Sequence, residues 1–421
     1  MKFINFISKL DLKNYNLVLL DQIINSGSSF LVSLFLVRFL GLEKFGLFTV
    51  LWIIFLLINT FQLSVIVSPM MTNSGLYTSD LKAYYYGGTF VQQIFLTLVF
   101  LIVIKFFFFF GSLVSINNQI YALQNVFLLI IFTSQIYQFF RRFFFSEKMY
   151  GVSIIIDIII NITLFSLLIY LFKTNELNLE KVFYSYFISF LVGTLLVIPY
   201  VKKFNFSFKS FADSTKVNFK ISKWITLTSI MQWFSGNLWL INSGIILGSY
   251  VLGAIRACQT ITNLCNLFFQ SFENFFPPKL THIYKSEGSK PMNEYIKRIN
   301  ISGFILLSVF AVILSLGSKN ILEFFYGPEV SQFYYLLIFL SILLPFTFIG
   351  FFYRFGLRTL KNTRTIFLSY LITSIFTAIA SKFIITNYNE IGFAIGLIFN
   401  QLIILFFTYY AYIKILNKIT K

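Results

Sequence analysis

Charge is scarce in this sequence, and acidic charge scarcest. Only 11% of its 421 residues are charged, with 15 Asp and Glu against 33 Lys and Arg. A soluble domain carries roughly 25% charged residues to keep its surface in water, so a soluble fold is excluded. There is one histidine, His282, expected in a loop; a multi-histidine metal site and a Ser-His-Asp triad are therefore excluded by count. The two cysteines, Cys258 and Cys265, are seven residues apart on one expected helix. That is a rise of about 10 Å, too far for a disulfide, so they read as small packing residues. Residues 1 to 16 are too polar to hold the apolar core of a cleavable signal peptide.

Apolar residues are abundant, at 57%, in repeated runs of about 20 that match a hydrocarbon core about 30 Å thick. The expected fold is all-α and membrane-embedded, with about 12 transmembrane helices, both termini cytoplasmic and an amphipathic surface segment over residues 1–16. The N-terminus, the even-numbered loops and the C-terminus together hold 25 of the 33 Lys and Arg, the asymmetry that marks cytoplasmic segments. Net charge of +18 therefore reports topology rather than a nucleic-acid partner.

The chain reads as a six-span unit used twice. Leu40-Gly41 and Gly46 recur as Leu247-Gly248 and Gly253, 207 residues on, and Asn59 recurs as Asn266. Pro69 is echoed by Pro277, and Phe139-Phe140-Arg141-Arg142-Phe143 by Phe351-Phe352-Tyr353-Arg354-Phe355 at an offset of 212. An even span number gives both halves one orientation, as in transporters with parallel repeats. The expected division is an N-terminal bundle over 1–201, a basic linker over 202–221 and a C-terminal bundle over 222–421. The linker region, Lys202 to Lys223, interleaves six lysines with phenylalanines and reads as an interfacial segment on anionic lipid.

A polar stripe on the eighth span carries the candidate site: Arg256, Gln259, Asn263, Asn266, Gln270 and Glu273 fall within one arc at 100° per residue. Such a face suits a hydrated cavity or a helix-packing seam, since an ionisable group at mid-bilayer costs about 2.5–3.5 kcal/mol. Asn25 on span one and Gln232 on span seven add shorter stripes, making spans one, seven and eight the expected cavity walls. Asp21, Asp157 and Glu273 are candidates for coupling H+ or Na+; Asp157 also reads as a structural partner of Arg141 or Arg142. Arg38 and Arg256 are candidates for phosphate, because a guanidinium donates two parallel hydrogen bonds and stays charged. Arg141, Arg142, Arg354 and Arg358 read instead as topology signals snorkelling to water. No catalytic set, cofactor or metal site is expected.

Leu36 to Phe48 (Leu-Val-Arg-Phe-Leu-Gly-Leu-Glu-Lys-Phe-Gly-Leu-Phe) resembles the first loop of polysaccharide transporters of the multidrug/oligosaccharidyl-lipid/polysaccharide (MOP) exporter superfamily, O-antigen flippases included. Leu247 to Gln259 and Phe325-Tyr326-Gly327-Pro328-Glu329 resemble later stretches of the same proteins. The resemblance implies two bundles that rock between inward-open and outward-open states. It also implies transport of a lipid-linked oligosaccharide across the bacterial plasma membrane, with membrane lipids and other polysaccharide-assembly proteins as partners. Arg256 is then the best head-group contact. A cation-coupled drug exporter of the same superfamily and a membrane polysaccharide polymerase or glycosyltransferase remain as alternatives.

Overall fold

The computed structural model describes residues 12–113 and 118–419, so the expected amphipathic segment lies largely outside the described residues; Leu12–Asn16 begin the first helix. All regular structure described is helical. In chain order the helices are α1 (Leu12–Leu40), α2 (Leu42–Gln62, continued by a π-turn over Leu63–Val67), α3 (Ser68–Asn73), α4 (Ser79–Leu113), α5 (Asn118–Ala122), α6 (Gln124–Ser146), α7 (Tyr150–Lys173) and α8 (Leu179–Val197). There follow α9 (Phe208–Asn263), α10 (Asn266–Glu287), α11 (Ser289–Leu316), α12 (Ser318–Tyr326), α13 (Pro328–Ser331), α14 (Tyr334–Thr359) and α15 (Thr363–Ile419).

Among the described residues nine helical stretches are long and apolar enough to cross a membrane, and the chain is a multi-pass membrane protein. Two of the nine, in α9 and α15, are 56 and 57 residues long and turn at a single non-helical residue, Gly248 or Asn389. The expectation of about twelve spans thus meets nine such stretches, two of them bent. Helix α6 is not among them. Its glutamines, Thr133, Ser134 and the Arg141–Arg142 pair dilute an otherwise apolar run.

Two compact units divide the chain: one takes the residues up to Val32 together with Leu51–Ser229, the other Ser33–Val50 together with Ile230–Lys421. The divisions fall inside α1, α2 and α9, whereas the sequence suggested a break at 202–221. That linker is largely helix. Ser210, Ser214, Asn218 and Ser222, spaced by four, form a buried polar face of α9, and Gly87 and Gly88 let its start approach α4. A Cβ at Gly87 would lie 2.0 Å from the Asn205 carbonyl oxygen, and one at Gly88 2.1 Å from that of Ser210. Asn218 Nδ2 donates to Gln92 Oε1 (2.8 Å) and Tyr85 Oη to Asn218 Oδ1 (2.5 Å). Lys209, Lys216, Lys220 and Lys223 occupy the exposed side.

The backbone carries the duplication. Gly41 and Gly248 both have φ near +85°, a conformation open to glycine, and Lys148 and Lys361 both have φ 58°. In the second unit the two copies of the glycine motif pack reciprocally: a Cβ on Gly46 would lie 1.8 Å from the Ser249 oxygen, and one on Gly253 2.2 Å from the Leu42 oxygen. Leu42 and Ser249 are themselves repeat mates, so each copy gives the other what it receives. The ends of α6 and α14 are closed by the same three backbone bonds, Glu147 to Phe143, Lys148 to Phe145 and Met149 to Phe144 matching Leu360 to Gly356, Lys361 to Arg358 and Asn362 to Leu357. These set the later register at 213 (Lys148 to Lys361) instead of the 212 read from the aromatic run. Arg354 is therefore the counterpart of Arg141, not of Arg142.

One further expectation is corrected. His282 lies on α10 and is exposed, because the helix runs on through Pro277 and Pro278 instead of ending in a loop. The helix that carries the expected polar stripe is interrupted in its backbone: α9 ends at Asn263, and Leu264 and Cys265 bond back to Ile261 and Thr262 before α10 begins. Cys258 and Cys265 are free and buried, as packing residues.

Candidate functional site

In the first unit a buried ionic cluster joins three helices. Arg141 on α6 donates from Nη2 to Asp21 Oδ2 on α1 (2.5 Å) and from Nε to Asp157 Oδ2 on α7 (3.0 Å). Asn25, one turn beyond Asp21, donates from the same Nδ2 to the Asp21 carbonyl (2.8 Å) and to Asp157 Oδ2 (2.9 Å). Both aspartates are about 2% exposed or less. Each keeps one oxygen, Oδ1, buried with no hydrogen-bond partner among the described residues. A second guanidinium, that of Arg142, lies close enough to Arg141 and Asp21 to interact with both. Charges this deep persist only when paired and hydrogen-bonded.

A cavity of about 140 Å³ opens beside this cluster. Asn25, Ser28, Asp157 and Asn161 form its polar side, while Trp52, Tyr137 and Tyr186 supply aromatic walls. Trp52 and Tyr186 pack with ring centroids 5.1 Å apart. The chemistry is a carboxylate, amides and hydroxyls facing flat aromatic surfaces, which suits a sugar ring or a small cation.

The second unit places the arginine candidates differently. Arg256, half-buried on α9, donates to Gln259 Oε1 at 3.4 Å and forms no ion pair among the described residues. The Tyr326 hydroxyl, buried nearby, has no partner there either. Arg38 is exposed and donates to the Phe324 carbonyl in the last turn of α12, where a cation complements the helix dipole. It holds the segment preceding Gly327-Pro328 in place. Asn263 and Gln232 are exposed. The side chains of Asn266, Gln270 and Glu273 lie outside the described residues.

Asn25, Asp21 and Asp157 are thus brought together, and Arg256 and Gln259 touch. Of the expected walls, spans one, seven and eight, the described cavity uses only α1; α2, α6, α7 and α8 supply the rest. Sequence reasoning missed Tyr137, Asn161 and Tyr186. Asn161 was within reach, being one helical turn from Asp157 and donating back to its carbonyl at 2.8 Å. Snorkelling to water describes the exposed Arg358, but Arg141 and Arg354 are buried.

Comparison with known proteins places this geometry. The sequence profile of the family described as "Polysaccharide biosynthesis protein" matches residues 12–278. The capsular polysaccharide biosynthesis protein CapF of Staphylococcus aureus is 27% identical over 278 residues, 64% of this chain and 68% of that protein. Among solved structures, the lipid II flippase MurJ in an inward closed conformation superposes with a TM-score of 0.68 at 16% identity, covering 95% of this chain and 87% of that one. The Vibrio cholerae MATE transporter VcmN, as a mutant, gives 0.68 at 14% identity over 99% of both chains. At such identities the superpositions establish a shared fold, that of MOP-superfamily transporters.

Proposed function

Because the chain belongs to the polysaccharide biosynthesis protein family, we propose that it is a flippase that carries a polyprenyl-pyrophosphate-linked oligosaccharide across the bacterial plasma membrane by alternating access, for surface polysaccharide synthesis. The family match over residues 12–278 carries the reading. The CapF relative, named for capsular polysaccharide, and a fold shared with a lipid II flippase support it. The reading has both termini in the cytoplasm, where the Lys and Arg concentrate. Arg256, which has no ion pair among the described residues, contacts the phosphate-bearing head group, and membrane lipids hold the polyprenyl tail. Asp21 and Asp157 take up H+ or Na+ through their unpartnered Oδ1 atoms, and occupancy there alters the hold on Arg141 and hence the packing of α1, α6 and α7.

A second reading, a cation-coupled drug exporter, is favoured by one observation: the cavity sets aromatic rings beside the Asp157 carboxylate, which suits an organic cation. Proteoliposomes containing the purified protein separate the two. The flippase reading expects translocation of a fluorescent polyprenyl-pyrophosphate oligosaccharide that falls sharply in Arg256→Ala. Efflux of an organic cation with no glycolipid movement would replace it with the exporter reading.

A further inference from the structure

The lysine-rich segment between Lys202 and Lys223 takes no part in the proposed transport. Residues 208–223 form the first turns of α9, and the structure sorts their side chains by face. Lys209, Lys216, Lys220 and Lys223 are all exposed and fall within an arc of about 60° at about 100° per residue. Ser210, Ser214, Asn218 and Ser222 occupy the opposite side and are buried. Phe208 and Phe219 flank the lysines on one margin and Trp224 on the other, at 86%, 64% and 63% exposed. Asp213, the sole acid between Lys202 and Lys223, lies at the edge of the stripe and accepts a hydrogen bond from Tyr84 Oη (3.0 Å).

These turns stand at the membrane surface, outside the apolar layer. From Phe208 α9 meets no non-helical residue before Gly248, a length of about 60 Å against a hydrocarbon core of about 30 Å. The buried face advances about two turns from Ser210 to Asn218, yet its partners on α4 stay between Tyr85 and Gln92. Ser210 meets Gly88, Ser214 Oγ donates to the Tyr85 carbonyl (3.2 Å), and Asn218 bonds to both Tyr85 and Gln92. The start of α9 therefore crosses the span α4 instead of running along it, near the α4 end that the sequence assigns to the cytoplasm. A face that is cationic along its centre and aromatic at both margins matches the layer where lipid phosphates meet the first methylenes. A soluble acidic partner would answer the lysines but leave three large rings without a use.

We propose that this face of α9 binds acidic glycerophospholipids of the surrounding bilayer, and that lipid held there supports transport through α9. That helix is shared: its residues up to Ser229 belong to the first unit and those from Ile230 to the second. Four ammonium groups in one arc attract a lipid of net negative charge, whereas a zwitterionic head group brings an ammonium of its own. The ligand is membrane lipid, not the transported species, and its contacts involve neither Arg256 nor the Asp21–Arg141–Asp157 cluster. Only the effect on transport rests on the flippase reading; the binding surface stands without it.

Trp224 reports on the surface. Purified full-length protein in neutral detergent is titrated with phosphatidylglycerol or phosphatidylcholine, each brominated on its acyl chains near the head group. Quenching of Trp224 is the difference between wild type and Trp224→Phe. Half-maximal quenching is expected at a phosphatidylglycerol fraction at least about tenfold below that for phosphatidylcholine, and raising salt from about 0.05 M to about 0.5 M should erase the preference. The combined Lys209→Gln, Lys216→Gln, Lys220→Gln and Lys223→Gln variant should bring the two lipids within about twofold of each other. Neutralising four exposed cations of the second unit, by Lys285→Gln, Lys290→Gln, Lys297→Gln and Arg298→Gln, should leave the preference intact. No preference in wild type, a preference that persists in the four-lysine variant or at high salt, or equal loss in the second-unit variant overturns the binding surface. The salt titration decides on wild type alone if the four-lysine variant does not fold. In proteoliposomes, adding phosphatidylglycerol to phosphatidylcholine should speed wild-type glycolipid transport at least about twofold and leave the four-lysine variant unchanged. Equal acceleration of both overturns the effect on transport. Lipid preference without any glycolipid transport sinks the flippase reading, and that effect with it, and leaves the surface standing.

Discussion

Arg141 and Arg354 close the same turn of the same helix in two copies of one plan, yet one is held by two carboxylates and the other by a phenyl ring. The backbones agree down to the three hydrogen bonds that end α6 and α14. Charge diverged where geometry did not. A repeat preserves the fold because both copies must bury the same helical faces, whereas polar side chains facing a cavity are free to specialise. One copy sets its arginine against two carboxylates, the other leaves its cation with no acid paired to it among the described residues.

The comparison is broken most severely by replacing each arginine with leucine. Arg141→Leu strands two buried aspartates and is expected to cost about 3–5 kcal/mol, read as a fall in apparent melting temperature in detergent. Arg354→Leu removes no ion pair, and the ligand-free protein is expected to lose no stability. Asp157→Asn keeps the size of the side chain but replaces a charged hydrogen-bond acceptor, at a cost of about 1.5–3 kcal/mol in the same assay. Gly46→Ala and Gly253→Ala test the geometric half of the comparison. Each drives a Cβ into a backbone oxygen of the opposite copy, so both should lose about 1–3 kcal/mol and by similar amounts. Gly27→Ala, on a helix with open space at that position, should gain up to about 1 kcal/mol.

The smallest effect is outside the spans, at Glu147. Burial works against its ionisation, but hydrogen bonds from Tyr86 (2.6 Å) and Lys82 (2.9 Å) outweigh that and hold its carboxyl below the usual glutamate range. Its contribution is fully present above the ordinary glutamate value of 4.5 and fades as pH falls through the depressed one. Glu147→Gln should cost less than about 1 kcal/mol at neutral pH and flatten this acid dependence of the melting temperature.

Much of the scaffold was legible in the sequence. Apolar runs gave a helical membrane fold, and the glycine motif marked the duplication because only glycine serves at Gly41, Gly46, Gly248 and Gly253. The later register slipped by one residue because a run of phenylalanines matches itself equally well at neighbouring offsets. Arg141 was a readable partner for Asp157, near it along the chain. Asp21, 120 residues from Arg141, gave no sign that it shares the same guanidinium. The first turns of α9 read as an interfacial segment because lysine and phenylalanine dominate their composition, while the Ser210–Ser214–Asn218–Ser222 spacing that docks their other face is a quieter signal in the same stretch. The 100° periodicity behind the polar stripe assumes an unbroken helix, and the backbone turn at Leu264–Cys265 has no signature in composition.

The central claim is that this protein moves a glycan by its phosphate. Its most direct test is the initial rate of translocation in proteoliposomes for two labelled glycolipids that share a polyprenyl tail and an oligosaccharide, one joined through pyrophosphate and one through an uncharged ether. The account predicts rapid movement of the pyrophosphate-linked form and none above protein-free vesicles for the ether. Equal rates for the two would contradict it.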